Sequence, residues 1–362
     1  MRIASEYIHQ LRAAATVEDL YPLVQKAIEL EHATIPPYLC GYFTLKIGSN
    51  EDAGQIIRSV VIEEMLHFSL ASNLLLALGG SPQIDTPDFV PKYPGELPFK
   101  IGDHLEVHLR KCSIAQVQDV FMAIEKPDAV IDIPTATAGL MNLAAIDVPD
   151  EFATIGLLYE FLAQKIREID ASTPIAWHTD KQNVASQWFT DPDEMFLIDS
   201  TDAAVKAIGV IVDQGEGTHT DPFDTDGVPA HYYRFEEIVR GRRLIPKPGA
   251  VPPYEFGGLP VYLDAEQIWD MDDDPAIAKY AAGTVSHRMA TQFSYSYTRA
   301  LNALHLAFNG EKAQIDHAMG VMYELRLLAQ QVLATPAVYA DGSSNDAGKG
   351  TGLSFEYVEV NE

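Results

Sequence analysis

VVIEEMLHFSLASNLLLALGG, residues 60–80, is the stretch that decides the fold. Three residues of α-helix turn through about 300°, so Glu64 and His67 lie on one side of a helix, one turn apart. That side also carries Ile57, Val60, Val61, Phe68, Ala71 and Leu75, which belong in a core. Two ionisable side chains set among core residues are costly to bury unless something pairs with them. A metal ion would remove that cost. Glu-x-x-His is common by chance and an exposed pair is its ordinary meaning, so its weight depends on what the other segments offer.

Working outward, the spacing predicts a helix from about Asp52 to Leu78, stopped by Gly79-Gly80 and Pro82. A preceding helix is predicted from about Val17 to Tyr42, capped by Thr16 with Asp19, and kinked or restarted at Pro36-Pro37. The turn around Gly48-Ser49-Asn50 makes these two an antiparallel hairpin. Residues from about 81 to 148, punctuated by Pro82, Pro87, Pro91, Pro94 and Pro98 in their first part, read as a long crossover, with a short strand in FKIGDHLEVHLRK and a helix near Ser113–Ile124. Further helices are predicted at about Pro149–Ile169, Thr201–Gly215, 231–241, Pro275–Phe308 and Glu311–Leu333. The Gly/Ser-rich tail after Pro336 is expected to wrap the surface, with SFEYVEV as a short strand. The reading is mainly α: a four-helix bundle with a long crossover, extra C-terminal helices and irregular insertions. Residues 1–338 form one domain, with insertions at about 81–148 and 217–275, and 339–362 form a tail.

The chain has 362 residues, with 52 Asp and Glu against 25 Lys and Arg, a formal charge of −27. A field of that sign repels nucleic acid and anionic membranes, so neither is expected as a partner. Cys40 and Cys112 make no disulfide framework and fit a reducing, cytoplasmic setting. The N-terminus lacks the apolar core of a secretory signal, and no unbroken apolar run reaches membrane-spanning length.

The other helices offer companions for Glu64 and His67. Glu31 shares a face with Leu20, Val24, Ala27 and Ile28. Glu160 is the one charged residue in FATIGLLYEFLAQ (152–164), which is apolar almost all round and therefore reads as buried. Glu216 ends AVKAIGVIVDQGEG (204–217) on the side of Val205, Gly209 and Val212. Four core-facing acids would balance two divalent ions, with neutral histidines completing the set. Oxygen and imidazole donors suit iron or manganese better than copper or structural zinc. For the last ligand, His219 has the right spacing after Glu216, but Gly215, Gly217 and Pro222 end the helix there; His231, which opens the next helix, is preferred. Glu63 is read as a salt-bridged neighbour, and Tyr38 or Tyr159 as donors behind the ligands. His32, His104, His108, His305 and His317 are read as ordinary core or surface residues.

As a set, LEHATIPPYLCGYFTLK (30–46), the 60–80 stretch, IVDQGEGT (211–218) and HYYRFEEI (231–238) resemble the ferritin-like domain of the VioB and RebD type. That family is also called iminophenyl-pyruvate dimer synthase, and the match runs from about residue 17 to 335. The resemblance implies a ferritin-like metal bundle with Glu31, Glu64, His67, Glu160, Glu216 and His231 as ligands of two ions, iron first and manganese as the alternative. It further implies a di-iron oxidoreductase that couples amino-acid-derived imines in secondary metabolism. The partners would be a small-molecule substrate, a partner amino-acid oxidase and a second copy in a homodimer. The other reading is a ferritin-like protein that handles iron or peroxide without an organic substrate.

Overall fold

The computed structural model describes residues 5–100, 105–127, 130–131, 133, 155–216 and 221–360. In chain order its helices are α1 (Ser5–Ala13), α2 (Tyr21–Thr44), α3 (Glu51–Ala77), α4 (Ile114–Ile124), α5 (Ile155–Ser172), α6 (Thr201–Glu216), α7 (His231–Arg240), α8 (Val285–Phe308) and α9 (Gln314–Ala334). Helices α2 and α3 form the expected hairpin, turned by Gly48 and Asn50 at φ +82° and +50°. Helix α5 packs on α6, and α6 on α3, which completes a four-helix bundle. Helix α7 closes one side against α3, α4 and α6. Helices α8 and α9 form a second hairpin laid against α3 and α2.

Helix α2 runs unbroken through Pro36 and Pro37, where an interruption was predicted. Each proline removes an N–H that would bond the carbonyl four residues back. The carbonyl freed by Pro37, that of Ala33, accepts instead from the hydroxyl of Tyr93 at 2.9 Å. The crossover thus repairs the helix it crosses.

Within that crossover, Gly95–Glu96 (β1) pairs antiparallel with Glu106–Val107 (β2). Helix α4 follows and contains a π turn at Val117–Phe121. Phe121 from this turn lies directly over Gly41 of α2, where an added Cβ would meet its Cζ at 2.7 Å. Glycine at 41 is what lets α4 sit this close to the bundle. A β-hairpin of Arg242–Pro246 (β3) and Tyr254–Pro260 (β4) covers a small second core of Ile133, Ala230, Tyr233, Leu244 and Phe256.

By length and composition α3 could cross a membrane, but 89% of that apolar window is buried inside the protein. Its apolar character serves the bundle core. The tail follows the surface only over 338–349, which are exposed or half-buried: Thr351 to Phe355 are buried, and SFEYVEV forms no strand. Side chains of α8 hold it, Ser294 bonding the Ser354 carbonyl and Thr298 Oγ1 accepting from Val358 N–H. Hydroxyls on a helix face thus take the place of a strand partner.

Replacing Tyr93 by Phe should cost about 1 kcal/mol of unfolding free energy, because it leaves the Ala33 carbonyl unpaired. Urea denaturation followed by circular dichroism measures this; an unchanged midpoint would mean that the Ala33 carbonyl finds another donor.

Candidate metal centre

Helical spacing on α2 puts Glu31, Thr34 and Tyr38 on one inward face. Helix α3 presents Glu64 and His67 to the same interior, α4 ends at Glu125, and α7 opens with His231. All five carboxylate and imidazole side chains are buried. They form two groups of donor atoms, each within 4.8 Å of one another: Glu31, Glu64 and His67, and Glu64, Glu125 and His231. Glu64 belongs to both.

The histidine tautomers follow from their outer contacts. His67 Nε2 lies 3.0 Å from Gln214 Oε1, and the Gln214 amide is oriented by its own bond from Nε2 to Glu194 Oε1 at 2.7 Å. An amide oxygen only accepts, so the His67 proton sits on Nε2 and its Nδ1 faces Glu31 Oε2 and Glu64 Oε1, each at 3.7 Å. His231 repeats the plan. Its Nε2 meets Glu63 Oε2 at 3.0 Å, and its Nδ1 lies 2.9 Å from Glu64 Oε1 and 3.4 Å from Glu125 Oε2. The two rings stack with centroids 5.5 Å apart.

Despite the 2.9 Å approach, His231 Nδ1 has no hydrogen bond of acceptable geometry. It is a buried nitrogen directed at carboxylate oxygens. Two ligand atoms at right angles on a metal with bonds of about 2.1 Å stand about 3.0 Å apart. The separation fits the edge of a coordination shell, and the angles do not fit a hydrogen bond. The donor set would suit divalent cations, held by Glu31, Glu64 and His67 and by Glu64, Glu125 and His231.

Hydroxyls hold the carboxylates from behind. Tyr159 of α5 donates to Glu31, Tyr38 to Glu125, and Thr34 Oγ1 to Glu64 Oε2 at 2.7 Å. Burial, then the neighbouring Glu64, raises the Glu31 pKa well above the ordinary carboxylate value. Burial and the Glu125 charge raise Glu64 likewise. Burial holds His67 down to about 3. For His231 burial works the other way from its three carboxylate contacts, which win and raise it well above 6.5. Glu63 would be raised by burial, but His231 and Arg234 keep it at about 2. A cavity of about 30 Å³ lies between the ligands, walled by Leu30, Ile124, Ile155 and Ile211. That is room for one or two water-sized groups.

Of the sequence-derived ligands, the fold brings Glu31, Glu64, His67 and His231 together. Glu160 is exposed and lies outside the cluster. Leu162, Ala163 and Ile166 set the buried face of α5, so Tyr159 turns inward and Glu160, about 100° further round, turns out. Glu216 closes α6, but its side chain, like all of His219, lies outside the described residues. Glu125 was passed over in the sequence as part of the crossover. A signal was present: it follows Val117, Phe121 and Ile124 at i+8, i+4 and i+1, an acid at the end of an apolar face. Among the histidines set aside, His32 Nε2 meets the Tyr297 hydroxyl at 2.6 Å and His108 Nδ1 meets Asp274 at 2.7 Å.

Glu125→Ala should lower bound metal from two ions per chain toward one, whereas Glu160→Ala should leave it unchanged; elemental analysis decides. Stability should also depend on pH. Carboxyls with raised pKa stabilise fully below 4.5, and lose that contribution as pH climbs through the raised value. His231, raised as well, loses its contribution in the same direction, while the depressed His67 matters only below 6.5. Above about pH 6.5 the metal-free protein should therefore lose Tm with rising pH, and saturating manganous ion should flatten the slope. Equal slopes with and without metal would contradict this account.

A family model described as Ferritin-like matches residues 24–240. A crystal structure of a ferritin like protein from Caulobacter vibrioides superposes with a TM-score of 0.54 at 20% identity, covering 86% of this chain and 95% of that one. At that identity the likeness speaks for the fold alone. No curated protein matches the chain significantly. The match to the family model spans more than half of the sequence and includes Glu31, Glu64, His67, Glu125 and His231: the chain belongs to the Ferritin-like family.

Proposed function

We propose that this protein is a non-haem di-metal carboxylate oxidoreductase, with iron as the first choice of metal and manganese as the alternative. The observation that carries this reading is the shared Glu64 between two donor groups, each completed by a histidine Nδ1 that faces carboxylate oxygens. Iron in such a site would supply and accept the electrons needed to reduce dioxygen or peroxide. The chain's own residues do the rest. Glu64 turns Oε1 toward both histidines while Thr34 holds Oε2. Tyr159 and Tyr38 fix one oxygen each of Glu31 and Glu125, which leaves the other free to bind. Leu30, Ile124, Ile155 and Ile211 keep bulk water from the cavity.

The resemblance to the iminophenyl-pyruvate dimer synthase family supplies the organic substrate: two imines derived from an aromatic amino acid, furnished by a partner amino-acid oxidase in the cytoplasm. Joining two such molecules by one carbon–carbon bond releases two electrons and two protons. Hydrogen peroxide takes up both as it becomes two waters. The narrow cavity favours a second reading on its own account. About 30 Å³ admits a diatomic oxidant and not an aromatic imine, as in a protein that handles iron or peroxide alone.

Anaerobic protein loaded with ferrous ion should bind about two irons per chain and give a transient absorption change on mixing with oxygen. Protein that refuses ferrous ion would sink both readings. Coupled product formed from an imine and peroxide supports the first; iron oxidation that no imine accelerates supports the second.

A further inference from the structure

We propose that the two metal positions are unequal and fill in order, the Glu64–Glu125–His231 position first, and that Glu63 and Gln214 set this order from behind the histidines. The inference rests on the two-metal reading above and adds to it which position is strong and why.

The two halves of the site share a plan and differ in one element. Each histidine aims Nδ1 at the carboxylates and donates Nε2–H outward across 3.0 Å. Behind His67 the acceptor is the neutral amide oxygen of Gln214. Behind His231 it is the carboxylate of Glu63. A carboxylate on the far nitrogen draws the proton and makes the near nitrogen a stronger donor to a cation; an amide does so much less.

The charge on Glu63 is secured by its surroundings. Arg234 grips both of its oxygens, and is itself held by a bond from Nε to the Pro229 carbonyl at 2.6 Å and from Nη1 to Ser59 Oγ at 3.2 Å. Arg234 sits one turn after His231 on α7, so one helix end carries both the ligand and the clamp on its partner. The guanidinium does not undo the effect of Glu63 on the ring. Glu63 Oε2 touches the imidazole directly, while the positive charge stands behind it. Gln214 has an acid behind it too, Glu194 at 2.7 Å, but that charge is one hydrogen bond further from the ring.

A separate observation points the same way. His231 Nδ1 already stands 2.9 and 3.4 Å from the carboxylate oxygens it would share with an ion, whereas His67 Nδ1 stands 3.7 Å from both of its own. The first set is closer to the edge lengths of an octahedral shell than the second. The ordering contacts that fix His231 are made before any metal arrives.

The test is titration of metal-free protein with manganous chloride, followed by calorimetry and by loss of the free-ion paramagnetic resonance signal. Two steps are expected. His231→Ala should abolish the tighter step and His67→Ala the weaker one. Glu63→Gln should weaken the tighter step by about 10–100-fold and leave the weaker one in place, and Gln214→Ala should change only the weaker step. Two equal steps, or loss of the tighter step in His67→Ala, would overturn the proposal. Should Glu63→Gln fail to fold, the two histidine variants decide the order by themselves. A chain that binds no manganese, or a single ion only, would instead defeat the two-metal reading on which the order depends.

Discussion

Three carboxylates, Glu31, Glu64 and Glu125, are buried within reach of one another in an apolar bundle, and with His67 and His231 they form groups that could hold a cation. Burial, with the neighbouring carboxylates behind it, raises the pKa of Glu31 and Glu64. Protons can relieve this in the metal-free chain, and divalent ions relieve it more completely. The tyrosines, the threonine and the outward hydrogen bonds of both histidines hold these side chains in place. Each leaves a lone pair turned inward and takes up a contact that would otherwise compete for it.

The bundle supplies this arrangement with elements that are individually ordinary. Helices α2 and α3 bring Glu31, Glu64 and His67 together by hairpin pairing alone. The second half is less regular. Glu125 arrives at the end of a short helix with a π turn, a distortion that often accompanies functional positions. Phe121 in that turn is held against Gly41, Tyr38 and Phe235, so the end of the helix is anchored on the side opposite its solvent face. His231 opens a ten-residue helix that begins in the core. A site built from two long helices and two short ends is asymmetric by construction, and the unequal partners of the two imidazoles follow from it.

Charge and burial divide the labour. The formal charge of −27 gives the molecule a field that gathers cations from solution, where a metal ion would first be met. Inside, the field is replaced by a few directed contacts. Arg234 with Glu63 is the clearest case, a buried cation whose job is to keep one carboxylate ionised beside a histidine. Removing either partner would leave an uncompensated charge, which costs more than the pair contributes to stability.

Periodicity in the sequence is enough to establish the helices, the α2–α3 hairpin, and the inward direction of Glu31, Glu64 and His67, because each lies among apolar residues at a spacing only one helical rotation satisfies. It also favours His231 over His219 through the glycines and proline that end α6. Periodicity could not orient α5, whose first turns are apolar almost all round. Any rotation buries something there, and the packing of Leu162, Ala163 and Ile166, with Tyr159 against Glu31, decides that Glu160 turns outward. Nor could it locate Glu125, which reaches the site through a long connection and not through a bundle helix. The sequence by itself determined that a carboxylate–histidine site exists and where its first half lies. Tertiary packing chose the remaining acid, because which side chain enters a shared interior depends on the neighbours that meet it there.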